Sequence, residues 1–572
     1  MIRSLAASLL FAVTLSGCVT APADLAATPA PPVAATGAVS AADPRAEEAG
    51  YEMLRAGGNA TDAAIATMLA LTVVEPQSSG IGGGGFLVRG TADGTVVTYD
   101  GRETAPAGAT PEWFLNADGT LPSFSESVRS GLSVGVPGNI ALAAKAHSEH
   151  GALPWARLFD PAIRLAREGF RINPRLYNSL SSAKDRAGFS ATGRALFFGD
   201  DGNPLPVGTL VVNEELARTF EALAAGGAPA FYRGALAQAL AQTVAEATPR
   251  AGAMTAADVA AYQAKPRQAL CTTYRRHRVC GMGPPTSGGV AVLQMLAMLE
   301  RFDLAGYGAE NPTTWHLFLE AQRLAYADRE LYLADADFIN VPVVGLLDRA
   351  YLAQRSALID PARALVKAEP GQPLGAQLVL ADGDEPEERG TTHFSVVDAS
   401  QTMVSYTSTI EGPFGSGLMT GGFFLNNELT DFSRSPTVNG RMVANRVDGG
   451  KRPRSSMSPM LVWAPDGSPL MAVGAAGGPT IPVQTARSII GVIDFGLDAE
   501  AALGLPFVMS FGERTMVEQG TWLETAIPAL VALGQPQPFA REAPVKANAV
   551  LWRGGAWQSA RDPRLEGQVN LP

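Results

Sequence analysis

The apolar residues follow two different spacings in the two halves of the chain. Between residues 137 and 330, long Ala- and Leu-rich windows have the spacing of amphipathic helices, and 311–335 is the clearest of them. From Thr391 onward, apolar residues form short strand-like runs instead. These runs are 391–397, 403–410, 422–426, 460–463 and 470–475. A mostly helical half followed by a strand-rich half predicts one intertwined α/β unit or two domains.

The periodic pattern begins well inside the chain. Residues 46–73 are predicted to be helical, with a break at Gly57-Gly58-Asn59, and Asn59 is a suitable N-cap for a second helix starting near Ala60. A glycine-rich loop at 80–85 and two strand-like runs at 86–89 and 95–99 follow. In the second half, helical windows return near 483–496 and 522–533.

The first 18 residues predict an export signal. Arg3 precedes an apolar stretch from Ser4 to Leu15, which is shorter than the roughly 20 residues that a membrane-spanning helix needs. The ending Leu15-Ser16-Gly17-Cys18 resembles a bacterial lipobox, in which Cys18 would become a lipidated N-terminus. The alternative is an ordinary signal peptide with a chance cysteine. Both alternatives predict an exported protein, and the lipobox implies a periplasmic protein anchored to the membrane.

Residues 19–45 are rich in Ala, Pro and Thr and have no periodic apolar pattern. This composition is typical of a flexible or semi-extended tether. We therefore expect the folded part to begin near Ala46. No later stretch is long and apolar enough to span a bilayer.

Composition narrows the class of protein. Hydrophobic residues make up 46% of the 572 residues and charged residues 17%, which is typical of a globular protein. The net charge of −11 argues against a nucleic-acid partner, because phosphate binding needs clustered Lys and Arg. Glycine occurs 61 times, where average usage would give roughly 40. The excess is expected in turns or where the backbone approaches another group closely.

Cys271 and Cys280 flank a predicted hairpin. A two-residue turn at Arg275-Arg276 would place the two cysteines directly opposite each other. An oxidising compartment makes a disulfide between them plausible, and two free thiols are the alternative.

Three further patterns carry no predicted site. Gly80, Gly82 and Gly85 match G-x-G-x-x-G, but a strand-like run follows where a dinucleotide-binding loop needs a helix. The G-x-S-x-G pattern around Ser133 is followed by Pro137-Gly138, where a nucleophile elbow needs a running helix, so a turn before a helix from Asn139 is predicted. The five histidines form no H-E-x-x-H pattern, and no metal site is predicted.

The stretch from Gly390 to Asp398 carries the candidate chemistry. Thr391 follows a glycine and an acidic loop at the head of a strand, which suggests a cleavage point between Gly390 and Thr391. Cleavage would give Thr391 a free α-amine with a reference pKa near 7.7–8.0. That amine could accept the proton of the threonine hydroxyl near neutral pH, so the site would need no histidine. An ordinary Thr-rich strand is the alternative.

Together with other motifs, this stretch resembles the γ-glutamyltranspeptidases (glutathione hydrolases) of the N-terminal nucleophile hydrolase superfamily. The resemblance runs from about residue 46 to Arg564. The motifs that carry it are Gly57–Ala64, Gly82–Gly85, Arg102–Pro106, Pro284–Gly289, Leu324–Arg329, the Thr391 stretch, Asn426–Phe432, Arg452–Pro459 and Gly477-Gly478.

The resemblance implies a fold, a processing event and a set of catalytic residues. The fold is an α/β, four-layer αββα sandwich, self-cleaved at Gly390–Thr391 into a large subunit (46–390) and a small subunit (391–572) that share one domain. Thr391 would be the nucleophile of both cleavage and catalysis, assisted by Thr409. A three-residue loop between the two strands places 391 opposite 409, whereas a two-residue loop would place Ser408 there. Gly477 and Gly478 would form the oxyanion hole.

The substrate-binding residues also come from the resemblance. Arg102 would pair with the substrate α-carboxylate through its bidentate fork, and Ser455 and Ser456 would add hydrogen bonds to the same group. Asp431, with Glu428, would accept from the α-ammonium. Glu411 occupies a position where several family members have Asn near that ammonium, so its effect on the acyl group is open.

The implied function is γ-glutamyl transfer and hydrolysis on glutathione and related compounds through a Thr391 ester. Water, an amino acid or a dipeptide would resolve the ester, and no cofactor is needed. Only 23 residues separate Asp431 from Ser455, so the segment that covers the substrate in some members is expected to be absent. The alternatives are a glutaryl- or cephalosporin-type acylase of the same family and an inactive envelope binding lipoprotein.

Overall fold

The computed structural model describes residues 37–250, 252–376, 380–383, 390–544 and 546–570. The predicted signal segment 1–18, its Cys18 and most of the predicted tether lie outside these residues. In the part of the chain that is described, no helix is long and apolar enough to cross a membrane.

The centre of the fold is two six-stranded sheets. The first sheet has the strand order Gly37–Ala41, Thr392–Asp398, Met403–Thr409, Gly84–Gly90, Val96–Asp100 and Lys265–Arg267. The second has the order Ala556–Arg561, Lys546–Arg553, Pro469–Ala476, Met460–Trp463, His277–Gly281 and Leu270–Tyr274. All pairings in both sheets are antiparallel.

The two sheets pack face to face and helices cover their outer faces. The strand Thr392–Asp398 contacts Pro469–Ala476 and Lys546–Arg553 across the interface. One apolar core lies between the first sheet and helices such as Ala60–Val74, and a second lies between the other sheet and helices such as Gly288–Leu299. The predicted αββα arrangement is confirmed.

The helices surround this sandwich on both sides. They are Pro44–Arg55, Ala60–Val74, Phe124–Val128, Asn139–His150, Asp160–Glu168, Pro174–Ser182, Lys184–Ala187, Ala191–Phe197, Glu214–Gly226, Pro229–Tyr232, Ala235–Glu246, Ala256–Ala261, Gly288–Leu299, Leu304–Tyr307, Pro312–Tyr332, Val343–Leu346, Arg349–Ala357, Ile481–Ile493, Ala499–Gly504, Trp522–Thr525, Ile527–Ala532 and Pro563–Val569.

Smaller sheets lie outside the sandwich. Their strands are Phe170–Arg171 with Leu210–Val211, Met419–Thr420 with Phe423–Phe424, Thr437–Val438 with Arg441–Met442, and Val508–Phe511 with Arg514–Glu518 and Pro538–Arg541.

The folded part begins earlier than predicted. Residues 37–41 form an edge strand that pairs with Thr392–Asp398, and Val39 within it is fully buried. The helix Pro44–Arg55 follows at once, with Asp43 as its N-cap. The prediction of a flexible tether over 19–45 is therefore wrong for residues 37–45. These small residues fit a strand because the partner strand supplies their hydrogen bonds.

Local interactions determine two of the predicted elements, the hairpin between the two cysteines and the helix that begins after Asn59. Arg275 and Arg276 both have positive φ, as a two-residue hairpin turn requires, and Cys271 pairs with Cys280. The two sulfur atoms form a disulfide bond. Asn59 accepts hydrogen bonds from the first turn of helix Ala60–Val74, and Asp62 completes a capping box.

Two of the patterns that predicted no site, the glycine loop and the turn around Ser133, have the predicted local structure. The glycine loop leads directly into the strand Gly84–Gly90. Ser133 is buried and its hydroxyl donates to the carbonyl oxygens of Val128 and Ser130, ahead of the helix Asn139–His150. That serine is therefore part of a turn and not an exposed nucleophile.

Candidate active site

Thr391 stands at the start of a central strand of the first sheet. Its backbone nitrogen donates to the carbonyl oxygen of Ser78 at 3.0 Å. Its φ of 75° lies in the left-handed region, which is uncommon for a residue with a Cβ. Such a conformation costs about 1–3 kcal/mol. Cleavage of the preceding peptide bond would release this strain, because φ is constrained only while that bond exists.

The strand register brings Thr409 to Thr391. Ser408 pairs with Thr392, so the next position places Thr409 beside Thr391, as the three-residue loop predicts. The two hydroxyl oxygens are 3.0 Å apart. The backbone N–H of Glu411 donates to the Thr409 hydroxyl at 2.8 Å. The Thr409 hydroxyl is thereby oriented and can donate its own proton toward Thr391.

Gly390 fits a space that admits no side chain. A Cβ at this position would lie 1.5 Å from the carbonyl oxygen of Glu411, a backbone atom that cannot move freely. The residue before the predicted cleavage point is therefore restricted to glycine by the neighbouring chain.

We expect Gly390→Ala to slow self-cleavage at least about 10-fold, because the displaced carbonyl carbon would leave its position near the Thr391 hydroxyl. Gel densitometry of freshly purified protein over time measures the uncut fraction. Gly108→Ala is the matched control, because a Cβ there meets nothing within 4 Å. Cleavage of Gly390→Ala at the unchanged rate would contradict the expectation.

Three acidic side chains face the same cavity. Ligand oxygens of Glu411, Glu428 and Asp431 lie within 4.8 Å of one another. Such a group can accept hydrogen bonds from an ammonium or hold a metal ion. Burial raises the pKa of Glu428 well above its usual value, and the neighbouring carboxyls of Glu103 and Asp431 raise it further, against the lowering effect of Arg102.

Arg102 contacts two of these three carboxylates and is almost fully buried. Its guanidinium donates to Glu428, to Asp431 at 2.5 Å and to the carbonyl oxygens of Pro453 and Arg454. The Arg102 guanidinium, which is predicted to bind a substrate carboxylate, therefore binds two carboxylates of the protein in this structure. The role of Arg102 in binding the substrate α-carboxylate stays a prediction. That role requires the substrate carboxylate to replace Glu428 or Asp431 as a partner of the guanidinium.

The two predicted serines also line this cavity. The Ser455 hydroxyl accepts from the N–H of Met457 at 3.1 Å, and the Ser456 hydroxyl accepts from Arg329 at 2.8 Å. Arg329 also donates to Ser287, which fixes its guanidinium beside the cavity. Arg329 is not among the site residues predicted from the sequence, although it ends the motif Leu324–Arg329. The position of this arginine at the end of a family motif was the signal that could have identified it.

The glycine pair follows the strand Pro469–Ala476 and precedes the helix Ile481–Ile493. Gly477 and Gly478 both have positive φ, at 124° and 57°. Side chains are disfavoured at such angles, which accounts for glycine at both positions. Gly478 lines the cavity, whereas Gly477 packs beside Thr480.

The structure brings nearly all predicted residues to one cavity. Its lining consists of Arg102, Arg329, Thr391, Thr409, Glu411, Glu428, Asp431, Arg454, Ser455, Ser456, Met457, Gly478, Pro479 and Ile481. The cavity combines the hydroxyls of Thr391 and Thr409 with an acidic group and basic groups.

The segment between Asp431 and Ser455 forms a short exposed hairpin and no long cover. Its strands are Thr437–Val438 and Arg441–Met442. The hairpin is held by the N–H of Ala381, which donates to the carbonyl oxygen of Met442.

Comparisons with known proteins point to one family. The γ-glutamyltranspeptidase family model matches residues 46–571. The glutathione hydrolase proenzyme of Bacillus subtilis is 38% identical over 481 residues, covering 82% of this chain and 80% of its own. The Escherichia coli glutathione hydrolase proenzyme is 35% identical over 561 residues, with 94% of each chain covered. The acylase ACY 1 proenzyme of a Pseudomonas species is 34% identical, covering 96% of this chain and 91% of its own.

Solved structures include both kinds of enzyme. The cephalosporin acylase from Bacillus halodurans superposes with a TM-score of 0.80 at 28% identity, covering 92% of this chain and 94% of its own. The Helicobacter pylori γ-glutamyltranspeptidase gives a TM-score of 0.55 at 36% identity, covering 59% of this chain and 95% of the solved one.

Proposed function

The chain belongs to the γ-glutamyltranspeptidase family, and from that premise we propose that it hydrolyses and transfers γ-glutamyl groups of glutathione and related compounds after cutting itself at Gly390–Thr391. The observation that carries the proposal is the 3.0 Å contact between the Thr391 and Thr409 hydroxyls at a cavity that also holds Glu411 and Asp431.

The first step produces the nucleophile. The Thr391 hydroxyl attacks the Gly390 carbonyl carbon, the peptide nitrogen leaves as the α-amine, and an ester joins Gly390 to the Thr391 oxygen. Water then hydrolyses that ester, giving a Gly390 carboxylate and restoring the hydroxyl. Strain at Thr391 and close packing around Gly390 both favour this step.

The second step uses the new N-terminus. The α-amine takes the hydroxyl proton while the oxygen attacks the γ-carbonyl of the donor, and the N–H groups of Gly477 and Gly478 bind the developing oxyanion. The leaving amine takes the proton back as the γ-glutamyl ester forms. Water, an amino acid or a dipeptide then resolves the ester and regenerates Thr391.

The donor is oriented by charge. Its α-ammonium is placed against Glu411 and Asp431, and its α-carboxylate against Ser455 and Ser456, with Arg102 behind them. Arg329 and Arg454 add positive charge on the carboxylate side of the cavity. The open segment after Asp431 leaves the site accessible to water and to bulky acyl groups.

A second candidate function is acylase activity on glutaryl or cephalosporin-type substrates. The similarity to the Bacillus halodurans acylase and the short segment after Asp431 favour it. The two functions differ in their need for an α-ammonium, because a glutaryl group has none.

Release from a γ-glutamyl anilide and from a glutaryl anilide separates the two functions. We expect kcat/KM to favour the γ-glutamyl anilide, because an ammonium bound to the acidic group contributes about 1.5–3 kcal/mol. Asp431→Asn should lower kcat/KM for the γ-glutamyl anilide by about 10-fold or more, with little change for the glutaryl anilide. A strong glutaryl preference of the unaltered protein would overturn the first function.

For location, we propose export to the periplasm and attachment to the membrane through a lipid on Cys18. The large piece, which carries Cys18 and ends at Gly390, and the small piece, 391–572, remain together as one working unit. Mass spectrometry of the mature N-terminus tests whether Cys18 carries a lipid. An unmodified Ala or Ser as the N-terminal residue would argue against the lipid.

A further inference from the structure

Two buried side chains bind carbonyl oxygens of the turn that contains the glycine pair. The amide nitrogen of Gln484 donates to the carbonyl oxygen of Ala476 at 2.9 Å. The Thr480 hydroxyl donates to the carbonyl oxygen of Gly477 at 2.8 Å. Gln484 lies in the helix Ile481–Ile493, and Thr480 directly precedes that helix. Two consecutive peptide groups at the end of the strand Pro469–Ala476 are therefore held by side chains.

The held carbonyls belong to the two peptide groups whose N–H groups are assigned above to the oxyanion. A trans peptide group is planar, so its carbonyl oxygen and its N–H point in opposite directions. The carbonyl of Ala476 shares a plane with the N–H of Gly477. The carbonyl of Gly477 shares the next plane with the N–H of Gly478. A hydrogen bond that fixes either carbonyl therefore also fixes the direction of the N–H that follows it.

A backbone donor sets the direction of the hydrogen bonds in this cluster. The N–H of Lys546 donates to the amide oxygen of Gln484 at 2.8 Å. The amide nitrogen of Gln484 must therefore face Ala476 and Thr480. That nitrogen donates to the Thr480 hydroxyl oxygen at 2.8 Å, which leaves the single hydroxyl proton for the carbonyl of Gly477. Every donor in the cluster thus has one defined acceptor or pair of acceptors.

We propose that Thr480 and Gln484 are positioning residues that hold the two N–H groups of the glycine pair in the direction of the developing oxyanion. The proposal rests on the oxyanion role of Gly477 and Gly478 in the proposed function. The cavity lining includes Gly478 but neither of the two side chains, so each of them acts through the peptide group that it binds.

The conformational freedom of glycine is the reason that such support matters. Gly477 has φ and ψ of 124° and 35°, and Gly478 has φ of 57°. Glycine leaves such angles at little cost, so an unheld peptide plane could rotate and turn its N–H away from the reacting carbonyl. Oxyanion stabilisation depends on donors whose direction is fixed before the reaction. Loss of the side-chain hydrogen bonds should therefore weaken binding of the transition state more than binding of the substrate.

The test compares variants that remove or keep the hydrogen bonds to the turn. Thr480→Val removes the hydroxyl at nearly constant shape, and Thr480→Ser keeps it. Gln484→Met removes the amide and leaves the Thr480 hydroxyl in place. Thr485→Val is the matched control, because Thr485 is a buried threonine of the same helix. Its hydroxyl contacts the carbonyl oxygen of Ile481 and the Ser458 hydroxyl instead of the turn.

Anilide release by the cut protein gives kcat and KM for the γ-glutamyl and the glutaryl anilide. Mass spectrometry of the fragment that begins at Thr391 counts the cut sites. We expect Thr480→Val to lower kcat by about 10- to 100-fold for whichever anilide is used, because the oxyanion donors are displaced. KM should stay nearly constant. Formation and hydrolysis of the ester both pass through an oxyanion, so kcat falls whichever step is slower.

The other variants should follow from the same hydrogen bonds. Thr480→Ser should recover most of the lost kcat, Gln484→Met should lower kcat at nearly constant KM, and Thr485→Val should leave kcat nearly unchanged. Thr480→Val and Gln484→Met with the kcat of Thr485→Val would overturn the proposal. A loss seen only in KM, or no recovery in Thr480→Ser, would also overturn it. If Thr480→Val does not fold or cut itself, Gln484→Met compared with Thr485→Val decides by the same criterion.

The two anilides keep this test separate from the proposed function. A lowered kcat on the glutaryl anilide, in a protein that does not turn over the γ-glutamyl anilide, would support the positioning role and reject the proposed substrate. Normal turnover of the γ-glutamyl anilide by Thr480→Val and Gln484→Met would support the substrate and reject the positioning role.

Discussion

Replacing Thr391 with alanine is expected to leave the protein as one uncut chain with no measurable acyl-transfer activity. The hydroxyl is the attacking atom in both proposed steps, and its partner at 3.0 Å, the Thr409 hydroxyl, cannot reach the same position. Loss of a covalent nucleophile typically removes activity by a factor on the order of 10⁶. Intact-mass spectrometry measures the cut, and anilide release measures the activity.

Thr391→Ser is the matched variant, because it keeps a hydroxyl and an α-amine. It should cut itself and retain activity, at a lower rate, since a serine hydroxyl lacks the methyl group that limits its rotamers. Purified Thr391→Ala that still yields a fragment beginning at residue 391 would refute the assignment of the nucleophile. Uncut wild-type protein would reject the whole processing scheme.

Replacing Arg102 with leucine is expected to cost the largest amount of stability of any single change in the cavity. Its guanidinium is the counter-ion of Glu428 and Asp431, and it lies 3.9 Å from fully buried Glu103. Removing one partner of a buried ion pair costs about 3–5 kcal/mol, because the remaining charges stay buried without compensation. The loss should shrink as the pH falls, since protonated carboxyls need no counter-ion.

Urea unfolding of uncut protein, in the Thr391→Ala background, measures this free energy on a single chain. Arg167→Leu is the control, because Arg167 also binds two glutamates, Glu214 and Glu221, but at the exposed surface. Its loss should stay within about 1 kcal/mol. Equal losses for the two arginine variants would contradict the buried-counter-ion account.

The sequence predicted those elements whose hydrogen bonds and turns are local. The Asn59 cap, the Arg275-Arg276 turn and the helix near 311–335 all depend on neighbours within a few residues. The 391–409 pairing was predicted as one of two registers. The structure selects it because Asp398 accepts from the N–H groups of Ser400 and Thr402, which fixes the three-residue loop.

The errors occur where distant parts of the chain decide the outcome. The strand Gly37–Ala41 has small, weakly apolar residues, and only pairing with Thr392–Asp398 makes it a strand. The short strand Lys265–Arg267 lies within the half that was predicted to be mostly helical, because the edge of Val96–Asp100 receives it.

Individual site residues were predicted from the sequence only where they lie in family motifs. No sequence pattern predicts that the Arg102 guanidinium pairs with Glu428 or that Lys546 donates to Ser78. Each of these contacts joins segments that are far apart in the chain.

Each of the two sheets contains strands from both sides of the Gly390–Thr391 bond. Before the cut, one covalent chain holds these strands at a high effective concentration, so folding is unimolecular. After the proposed cut, recovery from denaturation would become a bimolecular reaction between two pieces that each lack part of both sheets. The working protein is therefore expected to be a product of a single folding event, whose lifetime is set by its unfolding rate rather than by an equilibrium.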